Sequence, residues 1–450
     1  MKFVIIGGDA AGMSAASRAK RSIPEMEVIV LEKTEDVSYS ACGMPYNIAD
    51  ANRGMEDLVV RAADVFRRKQ GINLLTGHRV ERIDADNHTV SGTIGQSGET
   101  FQFSYDRLLI ATGGRPILPE LPGFDLPGVL ALKSLEDGRA IKAYLQTHAV
   151  QKVAIVGMGY IGLEMAEALR ARGLAVEMIK PGPDLLPWMP RDLAGVVQKE
   201  LEANDVGLYP GHAIQAIETA GNRLDVSCTD TTLTADMVLV AIGIHPNSEL
   251  ADGAGLELGP GGAIAVNRRL QTSNEAVYAA GDCADAIHVV TGEKVWIPLA
   301  LRANRAGWAV ADNVCGKAVE LDGVAGTAVF KVFGLEVARS GLTGEQAGKA
   351  GFDPATVTIK SRSRAHAHPG SQTIWVHLVG DRQSGRLLGA QMVGPEGIAH
   401  RINAVAVALH ANMSVASFAQ TDLAYAPPFG PVWDPMLTAA NQLLKQLAVK

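Results

Sequence analysis

Residues 153–180 read VAIVGMGYIGLEMAEALRARGLAVEMIK, and the fold follows from them. Val153–Val156 is a short apolar run of the buried-strand type, Ile161–Arg172 has the composition of a helix, and Val176–Ile179 is a second apolar run. Between the first strand and the helix stands Gly157-Met158-Gly159-Tyr160-Ile161-Gly162. G-x-G-x-x-G in this context is the signature of a dinucleotide site. The first glycine permits the turn, the second lets backbone N–H groups reach a pyrophosphate, and the third lets helix and strand pack closely. The helix N-terminus completes the anion site. An ordinary structural turn is the alternative, and the flanking β-α-β pattern weighs against it.

The same order recurs about 150 residues earlier, where the pattern predicts a strand at Phe3–Ile6, a helix at Met13–Arg21 and a strand at Val28–Leu31. Its turn, Gly7-Gly8-Asp9-Ala10-Ala11-Gly12, keeps the outer glycines but carries Asp9 in the middle. Glu32 ends the second strand and is followed by Lys33. An acid there suits a ribose hydroxyl; a solvated strand-end charge is the alternative. The equivalent position of the second unit is Lys180. A cation there favours a 2′-phosphate and so NADPH over NADH, unless Lys180 is simply a surface lysine.

Two such units at this spacing are a domain-scale duplication. Apolar strands with glycine ends recur at 108–114 (LLIATGG), 238–244 (VLVAIGI) and 277–282 (VYAAGD), and proline-marked linkers follow the first two. We read 1–115 as the first part of an FAD-binding domain and 116–245 as an inserted NAD(P)H-binding domain. Residues 246–323 are read as the return to the first domain. From 324 the character changes: FKVFGLEVARSG and TIWVHLVGD look like antiparallel strands, with helices after them. Residues 324–450 are therefore read as a separate α+β domain. The fold class is α/β, with two Rossmann-like domains.

Composition narrows the function classes. Glycine is 48 of 450 residues, well above the roughly 7% of ordinary chains, which fits tight turns and close backbone approach. Net charge is −7 with no basic block, which argues against nucleic acid. No apolar run approaches the ~18 residues of a membrane span. The opening MKFVIIGG enters a strand directly rather than a secretory leader, so a soluble, cytoplasmic protein is expected. Cys42, Cys228, Cys283 and Cys315 form no CxxC pair, against a zinc site or a disulfide scaffold.

Two dinucleotides in one chain imply a relay from a nicotinamide, through a flavin, to a third reactant. The first site, for FAD, comprises Gly7, Gly8, Ala11, Gly12, Glu32 and Lys33, with the turn residues Thr112, Gly113 and Asp282. The second, for NADPH or NADH, comprises Gly157, Gly159, Tyr160, Ile161, Gly162, Glu164, Lys180 and Gly243. Tyr160 is positioned to cover the flavin until nicotinamide arrives, and Glu164 to orient the nicotinamide region.

With these turns, and with Ser38-Tyr39-Ser40-Ala41-Cys42-Gly43-Met44-Pro45-Tyr46, the chain resembles the FAD-dependent pyridine nucleotide–disulfide oxidoreductases. Their fold is glutathione-reductase-like, and their C-terminal domain mediates homodimer contacts. The Ser-x3-Cys-Gly-x-Pro pattern is closest to the single-cysteine branch, which includes coenzyme A disulfide reductase and the CoA-persulfide or polysulfide reductases. Two-cysteine members would show C-x4-C at this point.

That resemblance implies that Cys42 forms a mixed disulfide with a small thiol, with a helix N-terminus or a nearby cation lowering the thiol pKa. Ser38 would bond to the substrate arm or the sulfur. Tyr425, in Tyr425-Ala426-Pro427-Pro428, would enter the partner subunit's site. Coenzyme A would be bound thiol or substrate, contacted by Arg18, Arg21, Lys69, Asn304 and Arg305. Ala10 stands where peroxidase and oxidase relatives carry histidine, which lowers that activity. Arg364-Ala365-His366-Ala367-His368-Pro369-Gly370 departs from the tyrosine-rich stretch of CoA-linked relatives, so the substrate and the second proton donor stay open. A flavoprotein that serves a protein partner is the reading from another class.

Overall fold

Four consecutive apolar residues in Lys2–Ile6 are buried on both faces, as in the middle of a parallel sheet covered on both sides. In the computed structural model, which describes residues 1–95 and 97–447, this strand is the centre of the first sheet. The order across that sheet is Val277–Ala279, Arg107–Ile110, Lys2–Ile6, Glu27–Leu31, Asn73–Leu75, all parallel. Helices α1 (Ala10–Ser22), α2 (Met44–Ala49) and α3 (Ala63–Gln70) belong to this part of the chain. Helix α1 begins three residues before its expected start, because Ala10–Gly12 already form its first turn.

The second sheet repeats the plan. Its order is Val129–Ala131, Met237–Val240, Lys152–Val156, Ala175–Lys180, Val206–Pro210, again parallel. It carries α4 (Leu135–Thr147), α5 (Tyr160–Ala171) and α6 (Arg191–Ala203). Each half also has a three-stranded antiparallel sheet, at 78–104 and at 214–235. The two strands Gly114–Pro116 and Ile244–Pro246 pair antiparallel where the chain leaves the first sheet and returns to it. Asn247 reinforces the junction: its side chain donates to the Thr112 carbonyl at 2.8 Å, and its carbonyl accepts from the Thr112 hydroxyl at 2.5 Å.

After α7 (Glu249–Gly253), α8 (Ala300–Val314) packs along α1. Gly307 permits the close crossing, since a Cβ there would run into the Ala11 carbonyl oxygen. The remaining chain forms a five-stranded antiparallel sheet in the order 328–332, 335–341, 387–394, 373–381, 354–362. Helix α9 (Gly344–Lys349) contacts its edge strand, and α10 (Ile398–His410) packs on its central strands. Helices α11 (Val415–Ala419) and α12 (Pro435–Leu447) follow, α12 lying against the sheet. This is the α+β arrangement expected from residue 324 onward. Among the described residues, no helix is long and apolar enough to cross a membrane.

The α1–α8 contact is backbone against backbone, so it cannot absorb a methyl group. Gly307→Ala is expected to cost about 1–3 kcal/mol and to lower the thermal midpoint measured by circular dichroism.

Candidate active site

The first glycine turn is shaped by backbone contacts. Gly7 has φ +109°, and Cβ atoms at Gly7 or Gly12 would strike the carbonyl oxygens of Ala111 or Gly7. Glu32 is turned into this loop rather than out to solvent. One carboxylate oxygen accepts from Gly8 N–H at 2.8 Å, and the other from the N–H and hydroxyl of Thr34, both at 2.9 Å. Lys33 is exposed, and Ala11 is buried against Gly281. Gly113, φ +70°, faces open space. Asp282 pairs with Lys133 at 2.9 Å, and its carbonyl accepts from the Trp296 indole at 2.8 Å. Lys133 carries no sequence motif, and only the fold brings it here.

The second turn follows the same geometry. Gly157 has φ +110° beneath the Ala241 carbonyl, and a Cβ on Gly162 would lie 2.6 Å from the Gly157 carbonyl oxygen. Gly159 has nothing within 4 Å of its missing Cβ, so its backbone is open to an anion. Ile161 is partly exposed in the first turn of α5, and Gly243 takes φ +128° opposite Ile117. Lys180 lies at the expected strand end, but its ammonium donates to the Asp184 carbonyl at 2.6 Å, and burial lowers its pKa. Tyr160 is engaged in packing. Its ring centroid is 4.7 Å from Phe330 and 6.0 Å from Trp188, and burial raises its hydroxyl pKa. Phe330 belongs to the C-terminal sheet, an association its position in the sequence does not disclose.

Cys42 sits on the single 3₁₀ turn Ala41–Gly43, directly before α2. The stretch leading to it is strapped to the first cradle. Ser38 N–H donates to the Gly8 carbonyl at 3.1 Å, and the Ser38 carbonyl accepts from Val60 N–H at 2.9 Å. Ser38 takes φ +49°, a left-handed conformation uncommon for residues other than glycine. Cys42 is the exposed cysteine; Cys228 and Cys283 are buried and Cys315 is intermediate, and all four thiols are free.

The expectation of a lowered thiol pKa is corrected here for the chain's own groups. Partial burial raises it, the Glu164 carboxylate raises it further, and Lys133 is the cation that opposes them. Glu164 is itself shifted up by burial and accepts a 2.7 Å hydrogen bond from the Tyr46 hydroxyl. Tyr46, on α2, thus joins the sulfur-bearing segment to α5.

Four of the five basic or amide candidates lie on two helices that pack together. Arg18 and Arg21 lie on α1, and Asn304 and Arg305 on α8 beside it. Asn304 accepts from the Ser14 hydroxyl at 2.7 Å. Arg18 is already paired with Asp312 at 2.6 Å and lies 5.4 Å from the ring centre of Trp308. Lys69 is exposed on α3, a separate helix that touches α1. Tyr425 is 49% exposed, near in sequence to the exposed Phe429, Val432 and Trp433. Ala365 N–H donates to the Pro427 carbonyl at 3.0 Å, so the segment with His366 and His368 abuts the one with Tyr425.

A fold with two dinucleotide cradles and one exposed thiol near them defines a redox enzyme that draws on pyridine nucleotide. The family profile described as "pyridine nucleotide-disulphide oxidoreductase" matches residues 1–307, and that of its dimerisation domain matches residues 327–436. The chain belongs to this family. It is similar to the NAD(P)H sulfur oxidoreductase (CoA-dependent) of Pyrococcus abyssi, with 42% identity over 98% of this chain and 97% of the relative. It is also similar to an NADH oxidase of Methanocaldococcus jannaschii, with 35% identity over the whole of both chains. Among solved structures, a NAD-dependent persulfide reductase from A. fulgidus superposes with a TM-score of 0.95 at 35% identity, covering 99% of this chain and 83% of that one.

One acid in the first cradle gives a pH test. Burial pushes the Asp9 carboxyl from 3.8 up to about 6. The native state therefore disfavours its ionised form: the protonated acid's stabilisation is complete below pH 3.8 and is lost as pH rises through about 6. Asp9→Asn should lie close to the wild type near pH 4 and exceed it at pH 8 by about 3 kcal/mol, as read from urea unfolding at the two pH values.

Proposed function

We propose that this protein is an FAD-dependent NAD(P)H oxidoreductase that reduces a low-molecular-weight disulfide, persulfide or polysulfide, with a CoA-linked sulfur substrate preferred. Cys42 is its one redox sulfur. The observation that carries this reading is the placement of Cys42: an exposed thiol with no second cysteine in its segment, strapped by Ser38 to the first glycine turn and joined through Tyr46 and Glu164 to the second. The two cradles suit their cofactors. Gly7, Gly12, Glu32 and Asp282 would hold FAD, and Gly157, Gly159 and Gly162 would hold NAD(P)H, with Lys180 favouring NADPH once its ammonium leaves the Asp184 carbonyl. FAD, when bound, supplies a carrier for the electron pair that NAD(P)H delivers.

The work of the chain is sulfur exchange. The Cys42 thiolate attacks one sulfur of the substrate; the Cys42–S bond forms, the substrate S–S bond breaks, and the first thiolate leaves and takes a proton. Two electrons and a proton then reopen the mixed disulfide, returning the Cys42 thiolate and the second thiol. One NAD(P)H and one proton are consumed for each disulfide. For a persulfide the products are the thiol and hydrogen sulfide. Lys133 opposes the influences that keep the thiol protonated, burial and Glu164 first, then Asp282 and Asp9. Ser38 would hydrogen-bond the substrate arm, and Tyr425 from a second copy of the chain would protonate the departing thiolate. The homodimer is supported by the match to the dimerisation domain and by the exposed Tyr425, Phe429, Val432 and Trp433. Arg18, Arg21, Asn304 and Arg305 present a polar, basic face to the phosphates of a CoA-type head group. Lys69 would reach it only from the separate helix α3. We place the enzyme in the cytoplasm.

A second reading is an NAD(P)H oxidase in which Cys42 cycles through a sulfenic acid. The similarity to an NADH oxidase favours it, and the side chain of Ala10 offers no proton for peroxide chemistry. Oxygen uptake measured beside CoA-disulfide-dependent NAD(P)H loss separates the two, and a dominant oxygen signal would reverse their order.

Cys42→Ser should keep its flavin and lose disulfide-dependent NAD(P)H oxidation by on the order of a thousandfold. Mass spectrometry of the non-reduced wild type is expected to find the small-thiol adduct on Cys42. Undiminished turnover in the variant would remove Cys42 from the mechanism.

A further inference from the structure

The site just described does not use Lys142. This lysine lies on α4, in the chain that leads into the inserted nucleotide unit, and only 6% of it is exposed. An ammonium so buried is costly unless its N–H groups are matched. Among the described residues no carboxylate forms a salt bridge with it; four oxygens surround it instead. It donates to the Asn47 carbonyl and side-chain oxygen, both at 3.0 Å, to the Asp50 carbonyl at 2.8 Å, and to the Arg53 carbonyl. Burial lowers its pKa, and the nearby Arg172 adds to the effect. Asn47 is fully buried, and its side-chain N–H donates onward to the Gly54 carbonyl at 2.8 Å. Every acceptor of Lys142 thus belongs to the last turn of α2 or to the loop that follows it.

The surroundings repeat the theme. Arg139, one turn earlier on α4, forms a two-pronged pair with Asp36 at 2.7 and 2.8 Å and also reaches Glu56 at 2.9 Å. Gly138 lies against Met55, and Leu135 and Ile141 share a core with Met44, Ile48, Met55 and Leu58. Helix α4 therefore grips the Cys42 segment on both sides, through Arg139 before the cysteine and through Lys142 after it. Met or Leu at 142 would fill the space without desolvating a charge. A cation makes sense there if the loop needs a fixed centre to converge on.

We propose that Lys142 is a positioning residue for Cys42. By collecting the free oxygens at the end of α2 it fixes that helix, and with it the Cys42 turn at the other end and the Tyr46–Glu164 hydrogen bond between them. Helix α2 has six residues and is only about 9 Å long, so a displaced end displaces the whole. This role rests on the reading of Cys42 as the redox sulfur.

The test uses the flavin-loaded full-length enzyme with CoA disulfide. Lys142→Met and the milder Lys142→Gln, which keeps two amide donors, are compared with wild type and with Asn47→Ala, which removes one acceptor of Lys142 together with the Asn47–Gly54 hydrogen bond. The expected result is selective. Flavin bleaching by NAD(P)H in a single turnover stays at the wild-type rate. Disulfide-dependent kcat falls by on the order of tenfold to a hundredfold. The pH midpoint for Cys42 alkylation by iodoacetamide moves, with Lys142→Gln and Asn47→Ala intermediate. A purely structural lysine would lower the thermal midpoint and leave the alkylation profile in place. Wild-type kcat and alkylation in Lys142→Gln and Asn47→Ala would overturn the proposal, even if Lys142→Met fails to fold. Failure of the underlying reading shows separately, as full disulfide turnover in Cys42→Ser.

Discussion

Backbone lying on backbone at the two glycine turns is the constraint from which the rest of the molecule follows. At Gly7 and Gly12, and again at Gly157 and Gly162, carbonyl oxygens occupy the space where a Cβ would be. That contact lets a helix start directly above the end of a central strand, with its free N–H groups pointing at one spot. Both parallel sheets are organised round such a spot. The antiparallel pair at Gly114–Pro116 and Ile244–Pro246 then joins the two halves and, through Thr112 and Asn247, anchors the junction to the first cradle.

Into this frame is set a thiol whose own neighbours do not favour its ionisation. Burial and Glu164 oppose the Cys42 thiolate, and Lys133, itself paired with Asp282, is the counterweight. The balance joins four distant stretches of chain: the Cys42 turn, the entrance to the inserted unit, helix α5 with Glu164, and the strand-end turn at Asp282. The cations Arg139 and Lys142 of α4 and the Tyr46–Glu164 hydrogen bond tie the Cys42 segment to the inserted unit.

The sequence patterns located the strands at 3–6, 28–31, 153–156 and 176–179 within a residue or so, because central parallel strands read as unbroken apolar runs. They located Cys42 as well, since its serine, glycine and proline neighbours are consecutive in the chain. They fared less well wherever a role depends on a partner far off in sequence. Arg18 looked like a free cation and is already paired with Asp312. Tyr160 stands by sequence in the second glycine turn, and the fold adds Phe330 of the C-terminal sheet against its ring. The thiol was expected to be acidified by its surroundings, and those of the chain itself do the reverse.

What the amino-acid sequence determined by itself is the β-α-β units, the two glycine turns and the place of Cys42 in a serine-, glycine- and proline-marked stretch between them. Glycine spacing and apolar runs act locally, within a turn or a strand, and need no knowledge of the rest of the chain. Tertiary structure alone decided which charges surround that sulfur. Lys133, just before α4, meets Cys42 and Asp282 only in the fold, and Arg139 and Lys142 on α4 look like any solvated cation until α4 is laid against residues 36–58. Coulomb forces and hydrogen bonds depend on distance in space, and close approach between residues a hundred positions apart is a property of the fold.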